Sequence, residues 1–193
     1  MRQFREIERK FVVKDSALCQ VQVDTILRSL VRQQTKSEIN GDSADYYYLP
    51  RKGVAADFVR RREFPNGHAE LTVKRKDMKS NLNRLEINVA ASAKESEAFC
   101  EAAFGESVAK IQKAYTVFFC SAPDVVVSTY VVEGVDAVYV EVEASTSAIV
   151  HEMTKALKAV IELVDEPRSL FEIYVEPKIR PSLMSVMINY KHR

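Results

Sequence analysis

Residues 2–13 read RQFREIERKFVV. Their alternation of residue types describes a β-strand with two unlike faces, because successive side chains of a strand point to opposite sides. Glu6, Glu8 and Lys10 share one face; Ile7, Arg9, Phe11 and Val13 share the other. Two carboxylates and an ammonium in a row describe either a solvated face or a site for a cation and an anion. The choice depends on whether other strands repeat the pattern.

They do. Arg60 and Arg62 share a face of VRRRE. In AELTVK, Glu70, Thr72 and Lys74 oppose Leu71 and Val73. In NRLEINV, Arg84, Glu86 and Asn88 oppose Leu85, Ile87 and Val89. Lys113 and Tyr115 share a face of IQKAYTV, and in YVEVEA Glu141 and Glu143 oppose Val140 and Val142. Two architectures accommodate this. In one, the aliphatic faces fill a barrel or sandwich core and the charged faces meet water. In the other, the aliphatic faces lie outward under helices and the charged faces line an interior. That interior has to be wet, internally paired and built for a charged ligand, because an unpaired buried charge is costly.

Two features favour the second. At least two segments have helical apolar faces that need a sheet face to cover. The charged residues also recur at i and i+2 as Arg with Arg and Glu with Glu. Paired Arg suits planar, bidentate capture of phosphate oxygens. Clustered Glu suits hard, oxygen-seeking cations such as Mg²⁺ or Mn²⁺.

Composition sets the outer bounds. The chain has 193 residues, 47% hydrophobic and 28% charged, which fits one folded domain with a real core. A net charge of +1, from 28 basic and 27 acidic residues, gives no global pull toward nucleic acid or membranes. Cys19, Cys100 and Cys120 are too scattered for a disulfide framework or a zinc site. Charges interrupt the N-terminus before any signal-length apolar run, and no run is long enough to span a bilayer. A soluble, cytoplasmic protein is expected.

Along the chain, a helix capped by Asp15 or Ser16 is expected to reach about Gln33. A strand follows from Thr35 to Leu49, interrupted around NGDS (40–43). Asp57 to Phe64 and His68 to Lys76 form a hairpin across PNG, and Leu82 to Ala91 is another strand. Ser92 to Phe104 reads as a helix stopped by Gly105. Ala109 to Cys120, Val125 to Val132 and Ala137 to Ala144 read as strands. Ser145 to Val164 reads as one amphipathic helix ended by Pro167, and Ser169 to Val175 as a short helix. The expected organisation is one domain, residues 1–176, with a C-terminal tail, 177–193. Its fold class is mainly β (α+β), with about eight strands and about three helices.

At this point the residues resemble a family. EIERK (6–10) resembles the N-terminal ExExK signature of the CYTH superfamily, the triphosphate tunnel metalloenzymes. DYYYL (45–49), VRRR (59–62), ELTVK (70–74), NRLEINV (83–89) and VEVEA (140–144) follow in the family's order, up to about residue 165. The resemblance implies an eight-stranded antiparallel β-barrel tunnel with amphipathic helices packed outside. It implies metal-dependent hydrolysis of a triphosphate, with inorganic tripolyphosphate as first choice. Thiamine triphosphatase, RNA 5′-triphosphatase and adenylyl cyclase activities are the alternatives.

By the same resemblance, Glu6, Glu8, Glu141, Glu143 and Glu86 would hold Mg²⁺ or Mn²⁺. Lys10, Arg60, Arg62, Lys74, Arg84 and Lys113 would hold the phosphates, and Glu6, Glu8 and Lys10 would be central to catalysis. The implied partner is a small-molecule triphosphate, with no membrane and no nucleic acid beyond an RNA 5′-triphosphate end; the chain would be a monomer or homodimer. The sequence departs from the family in three places. The sixth strand often reads KxR, and here Tyr115 takes the second basic position. Glu133 is the nearest acid to one expected before the last hairpin. Arg168 and Lys178 are the candidates for a C-terminal lysine. His68, His151 and His192 read as isolated, and Tyr46, Tyr47 and Tyr48 as packing residues that could otherwise stack on a ring.

Overall fold

The computed structural model describes residues 2–51, 56–76, 83–121 and 124–179, and within them all side chains but those of 2–6, 75–76 and 83–86. Its strands are β1 (Arg2–Val13), β2 (Thr35–Tyr48), β3 (Phe58–Glu63), β4 (His68–Lys76), β5 (Asn83–Ser92), β6 (Ala109–Ser121), β7 (Asp124–Val132), β8 (Val138–Ala144) and β9 (Leu163–Asp165). The helices are α1 (Gln20–Val31), α2 (Ala93–Phe104) and α3 (Ser147–Lys158), with a π-helical turn at Phe171–Val175.

The strands are antiparallel and run in the order β5-β4-β3-β2-β6-β7-β8-β1-β9. The N-terminal half of β1 also pairs with β5, from Arg2↔Asn88 to Ile7↔Asn83. This pairing brings β1 and β5 together, so β1 to β8 form a ring of pairings. β9 pairs with the C-terminal end of β1, from Phe11↔Asp165 to Val13↔Leu163.

The helices lie on the aliphatic faces. Val23, Leu27 and Val31 of α1 and Val150, Met153 and Leu157 of α3 share one buried cluster with Phe11, Phe118, Val125, Val127, Val140 and Val142. These strand residues are the alternates of the charged positions, so the charged positions face inward. α1 is also tied down by Asp24, a buried helix carboxylate that accepts hydrogen bonds from Thr116 (2.7 Å) and Thr129. Ser92 caps α2, accepting from the backbone N–H of Glu95, and Gly105 ends it at φ +85°, a conformation that favours glycine. Arg61, the middle arginine of VRRR, points outward and is buried between strand and helix. It lies over the Tyr46 ring (4.2 Å) and pairs with Glu63 and Glu97.

Three expectations change. α1 begins at Gln20 behind Cys19, not at Asp15; the Asp15 carboxylate instead accepts from Ala17 N–H in the preceding turn. β2 runs unbroken through residues 40–43, because every residue from Ser37 to Tyr47 has a partner on β6. The helix expected to reach Val164 stops at Lys158. Beyond it Ile161 and Leu163 are buried while Val160 and Val164 are about half exposed, a period of two that suits the short strand β9. Among the described residues a ninth strand, β9, therefore joins the eight of the ring. No helix among them is long and apolar enough to cross a membrane. The tail residues 180–193, including His192, lie outside the described residues.

Candidate functional site

Cross-strand register brings the charged residues together inside the ring. On β1 and β8, Glu8 lies opposite Glu143 and Lys10 opposite Glu141. On β2, β3 and β4, Asp45 lies opposite Arg62, which lies opposite Glu70; Tyr47 lies opposite Arg60, which lies opposite Thr72. Lys113 of β6 is opposite Ser43. Glu6 pairs in register with Arg84, and Lys74 with Glu86. The side chains of Glu6, Arg84 and Glu86 lie outside what the structure describes; their strand positions alone are given.

All five described basic candidates have a carboxylate partner. Asp45 binds two of them closely: Arg62 donates through Nε and Nη2 at 2.8 and 3.1 Å, and Lys113 Nζ is at 3.0 Å. The other pairs are longer: Arg60 to Glu70 at 3.4 Å, Lys74 to Glu8 at 3.6 Å and Lys10 to Glu141 at 3.9 Å. Arg60 also donates to Thr72 at 2.8 Å, and Tyr130 donates to Glu141 at 2.8 Å. The interior thus holds one tight triad and several looser pairs. A multiply charged anion can compete with the carboxylates for the cations of these pairs.

Burial sharpens these charges. Asp45 is 0% exposed. Its burial alone would raise its pKa, but Arg62, Lys113 and Arg60 outweigh that and hold it well below the usual carboxylate range. Lys113 goes the other way. Burial, then the charges of Arg62 and Arg60, push its pKa down to about 8, against the pull of Asp45 and Glu141. Burial and the Glu141 carboxylate push Tyr130 well up, so it stays a hydrogen-bond donor.

A pH dependence follows. Deprotonation of Lys113 through about pH 8 removes a cation from the lumen, so anion affinity falls as pH rises through that value. In the ligand-free protein, unfolded Lys113 keeps its proton up to its ordinary value of 10.5 and the folded residue only to about 8. Stability therefore rises with pH across that interval, since there the unfolded state binds the extra proton. The check is calorimetric affinity for tripolyphosphate across this interval, in the wild type and in Lys113→Arg. The variant stays charged throughout and should flatten the profile; identical profiles would remove Lys113 from the site.

One end of the lumen is stopped by apolar side chains. Phe171 stacks on Phe58 (5.0 Å between centroids) and tilts on Tyr47 (5.8 Å); Leu170 and Val175 join the same cluster. Inside the stop, a cavity of about 40 Å³ is bounded by Lys10, Arg60, Arg62, Lys113 and Glu141. That is room for water, so a larger anion has to move side chains aside.

The remaining candidates fall elsewhere. Glu133 is exposed on the outer face and accepts from Gln112. Arg168 is exposed and paired with Glu166, and Lys178 is exposed. Tyr46 and Tyr48 pack outside the ring and Tyr47 within the apolar stop. His68 and His151 are exposed, and the three cysteines are free thiols. Sequence reading missed Asp45. Its signal was the alternation of Asp45 with Tyr47, but its role depends on the β2–β3 register.

An antiparallel ring with helices outside, inward-facing paired charges and one apolar end defines the class of protein. A family model described as the CYTH domain matches residues 5–169, and the chain belongs to the CYTH family. Solved structures with the same fold include a protein of Pyrococcus horikoshii, 22% identical with a TM-score of 0.63, covering 89% of this chain and 99% of that one. A putative adenylate cyclase from Bacillus halodurans is 14% identical with a TM-score of 0.64, covering 90% and 99%. A putative adenylyl cyclase from Hippeastrum, described as having a dominant triphosphatase activity, is 11% identical with a TM-score of 0.61, covering 89% and 95%. No curated protein matches the sequence.

Proposed function

We propose that the chain is a metal-dependent triphosphatase, with inorganic tripolyphosphate as its minimal substrate. The observation that carries this reading is Glu8 directly opposite Glu143, in a lumen that also holds Lys10, Arg60, Arg62, Lys74 and Lys113. Directly opposed strand residues have β-carbons about 4.5–5.5 Å apart, which puts two carboxylates within reach of one shared cation.

The all-oxygen donor set fits Mg²⁺ or Mn²⁺. The described carboxylates do not by themselves form a group of three close enough to hold a metal, so the proposed set extends to Glu6, whose side chain is not described. Glu141 completes it, and Glu86 would either serve a second ion or order Arg84. When bound, the metal would supply Lewis-acid chemistry at a phosphoryl oxygen. The chain's own residues do the rest. Lys10, Arg60 and Lys74 exchange carboxylate partners for phosphate oxygens, with Arg84 assigned to the same phosphates, while Arg62 and Lys113, fixed by Asp45, set where the phosphate chain lies.

The triphosphatase activity attributed to the Hippeastrum protein supports hydrolysis; the naming of that protein and the Bacillus one as cyclases keeps ATP cyclisation as the second reading. Purified protein is incubated with tripolyphosphate, thiamine triphosphate, ATP and triphosphate-ended RNA. Phosphate release from tripolyphosphate that is lost on chelation and restored by Mg²⁺ or Mn²⁺ is the expected result. Cyclic AMP with pyrophosphate, or no turnover of any substrate, would overturn it.

A further inference from the structure

Three adjacent strands read in the same sense away from the apolar stop. The inward residues of β3 are Phe58, Arg60 and Arg62, followed by Phe64 just past its end. Those of β2 are Tyr47, Asp45, Ser43 and Gly41, and those of β6 are Ile111, Lys113 and Tyr115. Each passes from an apolar residue, through charge, to a position that carries none. Tyr115 is the next inward position of β6 after Lys113, so an aromatic ring stands one step beyond the Asp45 triad.

The ring has a built seat. Gly41 is the register partner of Tyr115, and a β-carbon at 41 would lie 2.9 Å from the Tyr115 hydroxyl oxygen. The absent side chain is what lets the ring lean across β2. There it meets Phe64 of the β3 side edge-to-face, with centroids 6.5 Å apart. Both rings are partly exposed. Between this pair and Asp45 lies Ser43, 5% exposed, whose hydroxyl has no hydrogen-bond partner among the described residues. It faces inward opposite Lys113.

We propose that Tyr115 and Phe64 form the wall that receives the planar aromatic head of a small organic triphosphate, with Ser43 hydrogen-bonding the link between head and phosphate. Consecutive inward positions are about 7 Å apart along a strand, so a head attached to a phosphate held by Arg62 and Lys113 reaches this wall. The apolar stop closes the opposite direction. The inference rests on the triphosphate reading of the lumen and adds the class of head group it selects.

The test is calorimetric binding of tripolyphosphate, ATP and thiamine triphosphate, with phosphate release followed in parallel. Stacking on one ring is expected to give the aromatic-headed ligands an affinity advantage over tripolyphosphate of roughly tenfold. Tyr115→Ala should erase that ratio and Tyr115→Phe should keep it. Gly41→Ala, on another strand, should erase it too by displacing the ring. The ATP and thiamine triphosphate arms show which ring source is preferred. A ratio unchanged by Tyr115→Ala, or no binding of either aromatic-headed ligand, overturns the proposal. Binding that keeps the ratio without phosphate release supports the wall and counts against hydrolysis alone.

Discussion

Glu8→Gln is expected to cut metal-dependent phosphate release by about 100-fold or more, roughly 2.7 kcal/mol of barrier, without unfolding the protein. The substitution keeps size and shape and removes one charge from the Glu8–Glu143 pair. Glu143 is the like-charged register partner of Glu8, and Lys74 lies 3.6 Å from Glu8 and opposes that repulsion. Removing the charge relieves the repulsion and weakens the ion pair, so Tm in chelator should stay within about 4 °C of wild type. With metal, the wild type should gain stability by mass action and the variant should not. Thermal melts with and without Mn²⁺, beside the rate assay, separate loss of metal from loss of fold. Full activity in Glu8→Gln would sink the assignment.

Asp45→Ala should produce the largest loss of stability of any lumen substitution. Asp45 is fully buried and is the shared partner of Arg62 and Lys113. Truncation leaves two cations facing each other with no anion between them, a loss of about 3–5 kcal/mol for a broken buried pair. For a chain of this size that corresponds to a Tm lower by roughly 6–20 °C. The sign of the ligand effect distinguishes this from a simple cavity. Tripolyphosphate should restore more stability to Asp45→Ala than it adds to wild type, because the anion replaces the missing charge. Equal ligand-induced shifts in both proteins would mean that Asp45 holds the fold and has no bearing on the anion site.

Much of this was legible in the chain. The alternation of Glu6, Glu8 and Lys10 against Ile7, Phe11 and Val13 assigns each side chain to a face, since the period of a strand is two. The apolar stripes of α1 and α3 then decide which face lies outside. Pairing between strands distant in sequence was not legible. That Asp45 meets Arg62 and Lys113 follows from the β2–β3 and β2–β6 registers, which no local pattern sets. β9 was hidden for a related reason: Leu157, Ile161 and Val164 satisfy a helical spacing, and only the edge of β1 pulls Leu163 to Asp165 into a strand. NGDS (40–43) read as an interruption of the strand, although the small size of Gly41 serves a cross-strand contact with Tyr115.

The proposed reading places a triphosphate and a divalent cation together inside the ring of charges. It is tested most directly by a crystal structure with tripolyphosphate and Mn²⁺, using anomalous scattering to locate the metal. A metal peak is expected between Glu8 and Glu143, with the phosphate chain lying against Arg60, Arg62 and Lys113. Metal and anion bound outside the ring, with the Asp45 triad and the Glu8–Glu143 pair unchanged inside it, would rule out an enclosed triphosphate site.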